Sequence, residues 1–147
     1  VKDIAKRDAA PGVSRGKSAS ARRATVKTRL SLPTEEQEQA EVCRYLDFLG
    51  ADYCAVPNGG HRHKAVAAKL KKAGVKSGVP DLLIFNRVTD DPECRGVAIE
   101  MKRRKGGQLS PQQKKWIERL SSLGWKCFVC HGAGEAVDVI QELNLAV

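Results

Sequence analysis

VPDLLIFNRVTDDPECRGVAIEMK, running from Val79 to Lys102, is the stretch whose reading decides the fold. Asp81-Leu82-Leu83-Ile84-Phe85 is apolar without a break and reads as a buried strand. Asn86 to Arg95, with Asp90-Asp91-Pro92, reads as a polar turn, and Gly96 to Lys102 as the next strand, so that the two form a hairpin. Such a hairpin brings Asp81, at the start of one strand, beside Glu100 and Lys102, at the end of the other. Side chains alternate along a strand, so Glu100 and Lys102 share one face while Ile99 and Met101 take the other. Two carboxylates converging beside an amine form a hard oxygen site suited to magnesium or manganese, with Lys102 placed to orient a water or to balance charge on a phosphate. For each residue alone the ordinary reading is a strand-end acid or a solvated charge pair; the combination is what points to chemistry.

Outward from the hairpin, Pro33-Thr34 before Glu35, Glu36 and Glu38 marks a helix start, with Thr34 as N-cap and acids at the positive end of the dipole. The helix is expected to reach Leu49 and stop at Gly50. Its inward stripe is Val42, Leu46 and Leu49, continued backward by Gln39 and Glu35, which turns an acid toward the protein. Residues 52–56 read as a short strand and Pro57-Asn58-Gly59-Gly60 as a tight turn. A basic helix from His61 to Ala73 follows, then a loop from Gly74 to Gly78. Beyond the hairpin, Ser110-Pro111 caps a helix to about Leu123. Trp125 to Cys130 is a fourth strand and Ala133 to Leu143 a closing helix. The order α-β-α-β-β-α-β-α predicts an α/β fold, a mixed four-stranded sheet flanked by helices.

Length and composition permit one compact domain, expected over residues 34–147. The net charge of +9 is uneven: residues 1–33 hold nine Lys or Arg against Asp3 and Asp8, leaving only +2 for the rest. That leader has few large apolar residues and is expected to be a flexible arm whose partner is a polyanion, nucleic acid first. No stretch is long and apolar enough for a bilayer, and a cytoplasmic setting in a bacterial or phage-infected cell is expected. Five cysteines, an odd number, argue for reduced thiols. Cys127-Phe128-Val129-Cys130-His131 spells a haem-attachment pattern but reads better as a buried strand carrying small thiols; zinc would need Cys54, His61 or His63 as further ligands, and strand spacing splays the pair.

Between Pro33 and Ile140 the segments Glu35-Glu36-Gln37-Glu38-Gln39, Pro57-Asn58-Gly59-Gly60, Gly74 to Asp81, Ile99 to Lys102 and Leu109-Ser110-Pro111-Gln112-Gln113 stand in an order that resembles the VRR-NUC domain, the virus-type replication-repair nuclease branch of the PD-(D/E)xK superfamily. The resemblance implies a restriction-endonuclease-like fold and metal-dependent cleavage of phosphodiester bonds in DNA, often branched. It implies that Asp81 and Glu100 bind Mg2+ or Mn2+, that the main-chain carbonyl of Met101 completes part of the shell, and that Lys102 assists the water. The first-helix acid of the family fits Glu35 best, with Glu38 competing, and Gln113 matches the glutamine that supports the site.

Around this centre the sequence offers a basic surface expected to meet DNA: Asn58, Gly59 and Gly60 with bare backbone amides, then Arg62, Lys64, Lys76, Arg103, Arg104 and Lys105. A four-way junction cut by a homodimer is the expected substrate, since a two-fold enzyme matches a two-fold substrate. Val137, Ile140, Leu143 and Leu145 are candidates for the dimer face, although core packing explains most of them equally well. Flap cutting or nicking, or a binding module of the same fold that does not cut, are the alternatives. No membrane and no small-molecule cofactor is expected.

Overall fold

The computed structural model describes residues 32–57 and 64–147. Helix α1 spans Glu35–Leu49. Thr34 caps it reciprocally with Gln37, and Gly50 ends it in the left-handed conformation at φ 74°; a cap of this kind stabilises a helix by about 1 kcal/mol. Strand β1 is Tyr53–Ala55, helix α2 is Lys64–Lys72, and strands β2 and β3 are Leu82–Ile84 and Gly96–Lys102. Helix α3, Pro111–Ser122, opens on a second capping box between Ser110 and Gln113. Strand β4, Trp125–His131, and helix α4, Ala133–Glu142, close the sequence of elements.

The sheet has the order β1-β2-β3-β4. The first two pairings are antiparallel, with Leu82 opposite Ile99 and Ile84 opposite Val97, and the last is parallel, with Glu100 opposite Val129 and Lys102 opposite His131. This is the mixed sheet expected, with β3 as its spine. All seven residues of β3 are buried, which is what a central strand covered on both faces requires. Val97, Ile99 and Met101 join a core with Leu82, Ile84, Val42, Leu46 and Ile140, so α1 and α4 pack on that side. Each such aliphatic side chain contributes roughly 1.5–3 kcal/mol by leaving water. The alternate residues of β3 therefore face the other way at its C-terminal end.

The link between β2 and β3 is less polar than expected. Val88 and Cys94 are buried, Val88 makes bridges to Asp91 and Leu145, and Thr89 and Asn86 bond the backbone of Asn144 and Ala146. The C-terminal segment is thus stitched onto the hairpin link. Ile140 sits in the core, with Leu143 and Leu145 packed against it and partly exposed, so core packing accounts for these three, while Val137 is half-buried on α4. Among the described residues no helix is long and apolar enough to cross a membrane.

Candidate active site

The antiparallel register carries Asp81, one residue before β2, to the end of β3. There the main-chain N–H of Met101 donates to its Oδ2 at 2.9 Å. Glu100 is 1 % exposed and Lys102 5 %. The Lys102 ammonium lies 2.5 Å from Glu100 Oε1 and 3.1 Å from the Met101 carbonyl oxygen. Helix α3 supplies Gln113, whose amide also donates to Glu100 Oε1. Glu35, on the first turn of α1, places its Oε1 4.0 Å from the same ammonium. Asp81, Glu100, Lys102, Glu35 and Gln113, drawn from four separate parts of the chain, thus meet at one point.

Burial sets the electrostatics here. Desolvation raises the Glu100 carboxyl to about 7, opposed by the Lys102 ammonium and reinforced by the charges of Asp81 and Glu35. Desolvation also raises Asp81, against the downward pull of the Met101 N–H and Lys102. One ammonium is set against three carboxylates. Glu100 Oε2 is buried without a hydrogen-bond partner, an arrangement that normally costs about 1–3 kcal/mol. A divalent cation would satisfy that oxygen and relieve the crowding of negative charge, so the donor set fits such an ion. Among the described residues no three His, Cys, Asp or Glu side chains form a metal cluster. The oxygens that could hold such an ion are those of Asp81, Glu100 and the Met101 main-chain carbonyl, an all-oxygen set.

Two glycines let the backbone close around these groups. Gly78, at φ +82°, lies so close to α3 that an added Cβ would stand 2.7 Å from Gln112 Cβ and 2.9 Å from the Gln113 nitrogen. Gly107 passes over Lys102, where a Cβ would meet Lys102 Cβ at 2.8 Å.

Residues 33–134 match the VRR-NUC domain family. The chain belongs to the VRR-NUC family. A solved structure described as a VRR_NUC domain protein is similar to it at 28 % identity and a TM-score of 0.57, covering 78 % of this chain and 90 % of that one. No curated protein matches. Family membership brings nuclease-type function and nucleic acid as partner.

The VRR-NUC domain holds a second buried glutamate away from this cluster. Glu38 is 1 % exposed; Arg104 grips it with Nε at 2.6 Å from Oε1 and Nη2 at 3.2 Å from Oε2, and the Ala133 N–H donates to Oε2 at 2.7 Å. Hydrogen bonding from Arg104 and then from Ala133 holds its carboxyl below the usual range. Gly132, at φ +98°, makes room: a Cβ there would press on Arg104 at 3.0 Å. Glu38 therefore ties α1, the turn after β3 and the start of α4 together. The sequence carries a signal for this: stepping back by four from Leu46 through Val42 lands on Glu38, so the buried stripe of α1 runs through Glu38 and not through Gln39 and Glu35. Of the two candidate first-helix acids, Glu35 is the one beside Lys102.

Arg103 and Lys105 are exposed on the turn that leaves β3, and Lys76 is exposed on the loop that leads to Asp81. Arg104, read from sequence as a DNA contact, has its guanidinium on Glu38. Asn58, Gly59, Gly60 and Arg62 lie outside the described residues, as does most of the basic leader; for Lys64 only the backbone is described. Cys130 is buried in β4, and burial pushes its thiol up to about 12, so it stays protonated at neutral pH.

Proposed function

We propose that this VRR-NUC domain is a Mg2+- or Mn2+-dependent DNA endonuclease that hydrolyses phosphodiester bonds, with branched DNA as its preferred substrate. The observation that carries the reading is the orphaned Oε2 of Glu100, buried beside Asp81 and Lys102 at the end of the central strand. A domain that only binds nucleic acid gains nothing from gathering three acids, one of them buried, around one ammonium where a phosphate must approach. Asp81, Glu100 and the Met101 carbonyl would hold the ion. When bound, the ion supplies positive charge at the phosphate and makes a water easier to deprotonate.

The remaining work belongs to the chain. Lys102 is held by Glu100 Oε1 and the Met101 carbonyl, which orients its ammonium toward the place where charge develops on the phosphate or on the attacking water. Gln113 fixes the Glu100 carboxylate so that Oε2 stays free for the ion. Glu35 adds a third negative group from α1. Arg103, Lys105 and Lys76 would hold the phosphates on either side of the cut, so affinity falls steeply with salt.

The test compares labelled duplex, flap and four-way-junction DNA, with Mg2+ or Mn2+, using the wild type, Glu100→Ala and Lys102→Ala. Paired symmetric cuts in the junction, lost in both variants, support a dimeric resolvase; flap cutting keeps the site and changes the substrate. Undiminished cutting by the variants rejects the site, and binding without cleavage in any form rejects the enzyme.

A further inference from the structure

Ser77, Gln112, Lys115, Trp116 and Arg119 line a cavity of about 210 Å³ on the outer side of α3. It is smaller than the roughly 300–1,000 Å³ typical of drug-sized ligands, which limits an occupant to about one planar ring system. Its chemistry is mixed. Trp116 is half-buried, and the Arg119 guanidinium lies over its ring with its carbon 5.7 Å from the centre, so that one face is covered by a cation. Gln112 and Ser77 bring amide and hydroxyl groups that donate and accept, while Lys115 and Arg119 bring positive charge. An aromatic plane topped by a guanidinium, with a few neutral polar groups, suits a nucleobase, whose face stacks on the ring or on the guanidinium plane and whose edge hydrogen-bonds.

Position supplies the second argument. Trp116 lies three residues after Gln113, one helical turn along neighbouring faces of α3, and Gln113 bonds Glu100. Ser77 precedes Gly78, the residue pressed against Gln112 and Gln113. The cavity is therefore connected to the candidate active site by the same short loop and the same helical turn. Lys76, next to Ser77, faces a further cavity between that loop and α2, which extends the basic surface.

We infer that the Trp116 cavity receives an unpaired base of the DNA strand flanking the cut, and so makes the domain prefer substrates with single-stranded or opened positions beside the scissile bond. In paired duplex the base stays in its stack and cannot enter. This inference rests on the nuclease reading for the meaning of the cut, and only on Trp116 for binding.

The experiment places 2-aminopurine at successive unpaired positions of a flap substrate and follows its fluorescence on binding, alongside cleavage of the flap and of matched duplex, for the wild type, Trp116→Phe and Trp116→Ala. Expected are quenching at one position for the wild type and Trp116→Phe but not Trp116→Ala, and a rise in KM of about five-fold or more for Trp116→Ala on the flap, the lower end of what one base–aromatic stack contributes. Cleavage of duplex should change less than about two-fold, and Lys115→Gln should lower the salt dependence of flap binding by close to one ion. Equal quenching in all three proteins, or equal loss on flap and duplex in Trp116→Ala, overturns the inference. If the wild type cuts nothing, the nuclease reading fails, while the quenching still decides whether Trp116 holds a base.

Discussion

Glu38 and Glu100 are both 1 % exposed, yet their surroundings drive them in opposite directions. Glu38 has both oxygens occupied, by Arg104 and by the Ala133 N–H, and its carboxyl is held low. Glu100 has one oxygen shared by Lys102 and Gln113 and the other unpartnered, and its carboxyl rises to about 7. A buried charge whose needs are met is a fastener. One whose needs are left open stores unfavourable energy that an incoming cation can release, and this distinguishes the two glutamates more clearly than burial or sequence position does.

The sharpest way to separate them is to remove each in turn. Glu100→Ala and Lys102→Ala should lower the cleavage rate by about 10²–10³-fold while the protein stays folded, as read by circular dichroism and single-turnover kinetics. Glu38→Gln should do the reverse: a loss of about 1–3 kcal/mol in urea unfolding, from weakening a buried charge-assisted cluster, with cleavage largely retained well below the melting temperature. If Glu38→Gln abolishes cutting in a protein of unchanged stability, Glu38 belongs to the chemistry and the contrast collapses.

Acid titration sharpens the comparison. Because the folded-state value of Glu38 is lowered, its stabilisation is present above about 4.5, the unfolded value, and is lost as pH falls through the folded value. Glu100 has the opposite sign: its contribution is full below about 4.5 and is lost as pH rises toward about 7 in metal-free protein. Unfolding midpoints from pH 3 to pH 8 should therefore show an acid limb flattened by Glu38→Gln and a neutral limb flattened by Glu100→Gln. Mn2+ should raise the midpoint at pH 8 and have little effect at pH 5, where protons compete for Glu100; the increment should vanish in Glu100→Gln. The smallest effect expected is that of Gln113→Ala, a loss of about ten-fold or less in rate from one hydrogen bond that steadies Glu100.

Much of the site was legible because its spacing is local. Glu100 and Lys102 share a face by strand alternation, the hairpin brings Asp81 to them, and Thr34 and Ser110 announce two helices by their side chains alone. The Glu38 clamp was harder to read, since its partners lie 66 and 95 residues away. Val88 looked like part of a polar link because its cover, Leu145, arrives from the far end of the chain. The Trp116 cavity escaped notice for a similar reason: it exists only where the Ser77–Gly78 backbone crosses α3, and that crossing depends on the missing side chain of Gly78.

The distance between Glu38 and Ala133 bears on synthesis as well as on stability. During translation α1 can form as soon as it emerges, but its buried carboxylate has no partner until Arg104, 66 residues on, has been made, and its full set only with Ala133, 95 residues on. Before that, Glu38 favours keeping α1 hydrated and undocked, and the strand that carries Lys102 lacks the bond its carbonyl accepts from Gly132. Docking of α1, and with it the placing of Glu35 beside Lys102, is therefore coupled to the turn after β3 and to the start of α4.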